Sequence, residues 1–320
     1  MIQEKINLRQ ARDFGETFNT SIRLLRQNFK IIFLSVLFIA GPFILLASIS
    51  GAYYQANAMR NVFSPLDLQS GNPMDFVWRQ FGMWYFIFIV AVSIAHMVLT
   101  ATVYSFIICY QEKGPGNVTL NDVGTRVGNS IGKILATYFL VMLLSVVGIA
   151  VLAGIVIGVA VASAGLAILL GFFIIIGLMI VGPPLVWQIS TIYLAVMQPD
   201  IPLAKGLGKP FRVIRGSFWW TWVIVVCVSI AVGLMGLVFT LPQAGYQMVL
   251  MITSKGSEAP IGFLVVATIC TFFATLLYSV MHIVFGVHYY SLAEKQDGQG
   301  MIERINEIGK PQSPDANLQY

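Results

Sequence analysis

Six long apolar runs, nearly free of charge, alternate along the chain with short polar segments rich in Lys and Arg. They lie at about 31–50, 84–110, 134–161, 166–196, 218–241 and 261–290. Each meets the roughly 20 residues that an α-helix needs to cross the hydrocarbon core of a bilayer. The stretch open to two readings is 134–199, whose 66 residues contain no Lys, Arg, Asp or Glu and have room for two long helices or three short ones. Basic residues on both sides of it, Lys133 before and Lys205, Lys209, Arg212 and Arg215 after, belong in one compartment. The number of crossings is therefore even, with the turn at 162–165. The pattern predicts an all-α, six-span polytopic helix bundle forming a single integral membrane domain over 1–296.

The polar segments carry a pattern of their own. Counting from Gly15, apolar residues fall at offsets 3, 7, 10 and 14, namely Phe18, Ile22, Leu25 and Phe29, with Arg23, Arg26 and Lys30 between them. That spacing is one face of a helix, here 13–30, with cations on another face. It is the signature of a helix lying in the interface and attracted to anionic headgroups, turning into the membrane near Lys30. From Gly124 the same offsets give Val127, Ile131, Ile134 and Tyr138, with Arg126 and Lys133. From Gly208 they give Phe211, Phe218 and Trp222, the offset-7 residue being Arg215 and the apolar one displaced to Ile214. The chain thus reads as three units, each an amphipathic elbow followed by a helical hairpin. Basic loops and amphipathic helix starts of this composition can also produce the three matches.

Composition agrees with a membrane protein. Of 320 residues, 57% are apolar and 10% charged, and the mean hydropathy is +0.80, far from the roughly 25% charged of a soluble domain. Sixteen of the nineteen Lys and Arg fall on the elbow side, and only Arg60, Arg79 and Lys255 on the other. The positive-inside rule places both termini in the cytoplasm. Six basic residues precede the first run, which is too long for a signal peptide and reads as a retained span. The net charge of +5 belongs to lipid-facing elbows and needs no nucleic-acid partner. Cys109, Cys227 and Cys270 have no metal-ligand spacing and read as small core residues.

Two segments depart from minimal connections. The outer loop 51–83 contains Met74, Val77, Trp78 and Phe81 at the spacing of a short surface helix. The tail 297–320 has an apolar stripe of Met301, Ile302, Ile305 and Ile308, stopped by Gly309 and Pro311, and then reads as disordered.

Chemistry is sparse. No Lys, Arg, Asp or Glu lies within the proposed spans, which argues against a proton pump, a carboxylate-coupled symporter or a voltage sensor. No phosphate-binding glycine loop, nucleophile elbow, zinc-protease pair or acidic metal cluster is present in the sequence, and no cofactor is expected. The polar intramembrane candidates are His96, Gln188 and His282, each open to an interhelical hydrogen bond or to a ligand or proton-transfer role. At 1.5 Å per residue His96 and His282 differ by about 9 Å in height, which disfavours a shared metal. His288 reads as interfacial. Pro42 and Pro183-Pro184 predict kinks, which can line a substrate path or simply bend a bundle helix. Glycines at 148, 154, 158, 165, 171, 177 and 182 predict a close approach of the third and fourth spans.

Asp13-Phe14-Gly15 with Phe18, Asn28-Phe29-Lys30 leading into a span, and Arg215-Gly216-Ser217-Phe218-Trp219 leading into another resemble bacterial integral membrane proteins related to the membrane domain of some glycerophosphodiester phosphodiesterases. The resemblance covers about 10–292 and implies a stand-alone six-span protein. In that family catalysis belongs to a separate soluble barrel for which this chain has no room, so the resemblance implies neither phosphodiesterase activity nor catalytic residues here. The sequence therefore leads us to expect a non-enzymatic accessory, scaffold or lipid-interacting protein of the bacterial cytoplasmic membrane. Its headgroup contacts would be Arg23, Arg26, Lys30, Arg126, Lys133, Lys209, Arg212 and Arg215, with a protein partner or a second copy possible. The alternative is a transporter or channel for a lipid-like or uncharged substrate.

Overall fold

A computed structural model describes residues 5–63, 82–199, 201–253 and 260–298. The short helix expected within 64–81 and the tail helix after 298 lie outside the described residues. Among the described residues the chain is all helix and loop: α1 (Phe14–Ser35), a π-helical turn (Val36–Ala40), α2 (Gly41–Phe63), α3 (Met83–Lys113), α4 (Leu120–Ala162), α5 (Ala164–Val196), α6 (Leu203–Val213), α7 (Phe218–Thr253), α8 (Ile261–Leu276) and α9 (Tyr278–Asp297). Six helical stretches are long and apolar enough to cross a membrane, with α1–α2 and α8–α9 each counting as one.

The helix boundaries follow local chemistry. Asp13 caps α1 by accepting from the Glu16 N–H at 2.8 Å, and Glu16 returns the bond to the Asp13 N–H at 3.3 Å. Thr119 and Asp122 form the same capping box at the start of α4. Near the predicted bend at Lys30, α1 is kinked at Asn28, whose φ of −118° and ψ of 18° are non-helical. The Asn28 side-chain amide donates to the Leu24 carbonyl at 3.0 Å, one turn back. The π turn then ends at Gly41, immediately before Pro42, so the missing proline N–H falls where the helical register changes. The turn between α4 and α5 contracts to Ser163, whose hydroxyl accepts from the Leu166 N–H at 3.4 Å.

Two expectations are corrected. Residues 51–63, read as the start of a loop, continue α2. Tyr53 stacks on Trp84 at 5.0 Å, Tyr54 on Phe88 at 5.6 Å, and Ala52 and Met59 pack with Phe263 and Ala267 of α8. Aromatic and small side chains give this polar-looking stretch a surface to dock. The glycines of α4 and α5 do not bring those helices together: a Cβ built at Gly148, Gly154, Gly158, Gly171, Gly177 or Gly182 meets nothing within 4 Å. No neighbouring helix approaches them closely, and Gly148, Gly154, Gly158 and Gly177 are exposed.

The three units close on one another. The second helices of the hairpins, α3, α5 and α9, pack together at the centre, and their elbow-end halves are the most buried part of the chain, including Tyr104, Phe106, Trp187, Leu194, Phe285 and Tyr289. Each hairpin's first helix also packs on a neighbouring unit: α4 on α3, α7 on α5, and α2 on α8. The elbows repeat the same rotation. Cys109 of α3 contacts the Asp122 carbonyl at 3.8 Å, a Cβ on Gly206 would lie 2.7 Å from Cγ1 of Val196 in α5, and the Arg12 N–H donates to Ser291 Oγ of α9 at 2.9 Å. Asp122, Gly206 and Arg12 stand two or three residues before the reference glycines, so the threefold pattern is also a threefold contact. The first elbow closes the ring on the last helix. A bent strap leads into it, with Ile6 and Leu8 buried, the Ile6 N–H donating to Tyr110 OH at 3.0 Å and the Arg12 guanidinium to the Leu8 carbonyl at 2.8 Å.

Candidate functional site

The centre holds a polar chain in which each donor follows from the next. The Thr100 hydroxyl donates to the His96 carbonyl at 2.7 Å, because a carbonyl only accepts. Thr100 Oγ1 must then accept from His282 Nε2, 3.1 Å away. Neutral His282 has its other nitrogen free to accept, so the Ser190 hydroxyl donates to Nδ1 at 3.0 Å. That leaves the Tyr104 hydroxyl to donate to Ser190 Oγ at 2.7 Å. Each central helix contributes to the chain: Tyr104 and Thr100 from α3, Ser190 from α5 and His282 from α9.

His96 is coupled to His282 through Thr100. Its own Nδ1–H donates to the Val92 carbonyl at 3.0 Å, and its ring meets Tyr278 edge-on at 5.4 Å. Gln188 is half-buried, and the chain of bonds passes through Ser190 instead. His288, expected at the membrane interface, is buried between helices, with Nε2 at 3.0 Å from Thr221 Oγ1 and its ring against Trp187 at 5.4 Å. Among the described residues no group of three His, Cys, Asp or Glu is placed to hold a metal. Sequence reasoning missed Thr100, Tyr104 and Ser190, since hydroxyls in spans commonly bond their own helix, as Thr191 does to the Trp187 carbonyl at 2.8 Å.

The second candidate is the ring of elbows. On α1 the face turned to the bundle is Thr17, Ser21, Leu24, Asn28 and Ile32, while Ile22 and Phe29 of the apolar stripe are exposed and Arg23, Arg26 and Lys30 form a third, exposed face. On α4 the three faces are Val123 with Ser130 and Ile134, exposed Ile131 with Leu135, and Arg126 with Lys133. On α6 they are Gly206 with Pro210 and Val213, exposed Phe211, and Lys205 with Lys209 and Arg212. At 100° per residue the rotational order of bundle, apolar and basic faces is the same in all three.

The cations differ in their partners. Arg126 pairs with Glu112 at the end of α3 and Lys133 Nζ donates to the Ile201 carbonyl, just before α6, at 3.2 Å, so these cations also tie the second elbow to α3 and to the third elbow. Arg215 is exposed, just before Gly216, whose φ of 81° permits the turn into α7. Lys209 is half-buried, and burial, with Arg9 and Arg212 nearby, holds its ammonium below the usual lysine range despite the opposing charge of Asp297. Lys205, Lys209 and Arg212 line a groove of about 400 Å³ between α6 and the end of α9, floored by Ile201, Pro202 and Val213.

The chain matches no family model, no curated protein sequence and no solved structure.

Proposed function

We propose that this is a non-enzymatic protein of the bacterial cytoplasmic membrane, with both termini cytoplasmic, that engages anionic lipid headgroups through its three elbow helices and serves as a lipid-interacting scaffold or accessory subunit. The observation that carries this reading is the recurrence of one three-faced helix: each elbow presents a bundle face, an exposed apolar stripe and a basic stripe in the same order. Such a helix sinks its apolar stripe below the headgroups and holds its cations among them. A relative of the glycerophosphodiester phosphodiesterase membrane domain would fit this role.

The central polar chain supports the non-enzymatic part. Both nitrogens of His282 and the hydroxyls of Ser190 and Thr100 are consumed in bonds to one another, so they hold three helices together. At Pro183, one of the prolines that a transport reading would use, the freed carbonyl of Met179 is taken by Trp222.

Native mass spectrometry on protein extracted into nanodiscs from its own membrane tests the proposal. Anionic lipid retained above its bulk fraction, without turnover of that lipid, is the expected result. Retention that follows bulk composition, or conversion of the retained lipid, would overturn it.

A further inference from the structure

We infer that the groove between α6 and α9 is a specific site for a phosphate group, that of an anionic phospholipid presented at the membrane surface. The inference rests on the lipid reading above and assigns it a location. Lys205, Lys209 and Arg212 stand at i, i+4 and i+7 on α6, the spacing that aligns side chains on one helix face, and all three line the groove. An arginine fork beside two ammonium groups suits the several oxygens of a phosphate. The volume of about 400 Å³ lies at the small end of ligand pockets, the size of a headgroup rather than of a protein segment.

The walls are fixed in advance. Gln296 of α9 donates from Nε2 to the carbonyls of Arg212 and Val213, both at 3.0 Å, pinning the end of α6. Lys133 holds the floor through Ile201. The exposed ring of Phe211 follows on the neighbouring face of α6, where an acyl chain would run.

A second observation lies beside the groove. Lys209 and Asp297 also line a smaller cavity of about 20 Å³, together with Arg9 and Tyr289. The Tyr289 hydroxyl is buried and has no hydrogen-bond partner, a donor whose desolvation is uncompensated. It stands on the bundle side of a lysine whose ammonium is held low by burial. Two carboxylates oppose an anion, Asp297 in both cavities and Glu294 in the smaller one; that of Asp297 attracts Lys209 and repels an incoming anion.

The test is a native mass spectrometry titration of the full chain in neutral detergent with dioleoylphosphatidylglycerol, with inorganic phosphate and glycerol 3-phosphate as competitors. The site predicts one strongly held lipid, weakened about tenfold in Lys209→Gln/Arg212→Gln. Tyr289→Phe keeps the packed ring and loses only the hydroxyl, and weakens binding by a smaller factor. Asp297→Asn tightens it, which a merely structural aspartate would not do. Lipid that resists both competitors confirms a headgroup as the ligand; lipid displaced by millimolar glycerol 3-phosphate keeps the phosphate site and overturns its assignment to lipid. Unchanged affinity in both the double variant and Tyr289→Phe, with melting temperatures kept, overturns the groove while leaving the broader reading intact. If the unaltered protein holds phosphatidylglycerol no better than phosphatidylcholine, the broader reading fails with it.

Discussion

The indole N–H of Trp222 donates to the main-chain carbonyl of Met179 at 3.1 Å, and the cause lies four residues further along α5, at Pro183. In a regular helix that carbonyl would accept from residue 183, but proline has no N–H to give. The start of α7 supplies the missing donor, so the proline position of one unit is tied to the next. Trp222→Phe should therefore cost about 0.6–2 kcal/mol in detergent unfolding. In a Pro183→Ala background, where the backbone can refill the carbonyl, the same change should cost less. Additive costs in the double-mutant cycle would show that the two residues are not coupled.

The central chain predicts an asymmetry among its hydroxyls. Ser190→Ala strands both the Tyr104 hydroxyl and His282 Nδ1, and should destabilise the bundle by about 1–3 kcal/mol. Tyr104→Phe removes only the outermost donor and leaves the Ser190–His282 bond in place, so its cost should be smaller. Combining the two should cost less than their sum. Chemical denaturation of the four proteins in one detergent measures the order; a larger loss for Tyr104→Phe would contradict a chain of bonds that runs from Tyr104 through Ser190 to His282.

Close helix approach predicts a rescue. An added Cβ at Gly286 would stand 2.5 Å from Cδ1 of Ile107, where α9 crosses α3. Gly286→Ala should destabilise by about 1–3 kcal/mol through overpacking. Ile107→Val removes the offending carbon alone, and the double variant should recover most of the loss in a thermal melt.

Asp122 links the end of α3 to the start of α4, with its carboxylate 2.7 Å from Lys113 Nζ. The Lys113 bond, together with those from the Thr119 N–H and hydroxyl, lowers its pKa to about 2. A carboxylate depressed on folding stabilises the fold above its unfolded pKa, near 4, and loses that contribution as pH falls through about 2. The stability difference between the native chain and Asp122→Asn should shrink between about pH 4 and pH 2. A difference independent of pH in that window would rule out the linkage.

Hydropathy made the spans legible, because nothing but a bilayer or a very large core accommodates runs like those of α4 and α5. It could not say which side of α1 meets the bundle. Thr17, Ser21 and Asn28 look solvent-facing by the rules of soluble proteins, yet in a membrane protein small polar side chains pack between helices while Ile22 and Phe29 face outward. The elbow repeat was visible in spacing, but its closure was not: the bond from Arg12 to Ser291 spans 279 positions, a contact no local pattern encodes. His282 stood out as the rare ionisable group in a span, while its partners Thr100 and Ser190 did not. The glycines misled because small-residue spacing marks a smooth helix face without saying what covers it.

The proposed role turns on the basic stripes reading anionic lipid, and charge reversal on the first elbow addresses that most directly. Arg23→Glu/Arg26→Glu/Lys30→Glu alters only exposed side chains of α1 and leaves the face of Thr17, Ser21 and Leu24 that meets the bundle untouched. Reconstituted at low salt into vesicles mixing phosphatidylglycerol with phosphatidylcholine, the native protein should enrich phosphatidylglycerol in its annulus, with the preference fading as salt rises. The reversed protein should lose much of that enrichment or insert with altered topology. Equal enrichment and unchanged topology in the two proteins at low salt would contradict a headgroup-reading role for the elbows.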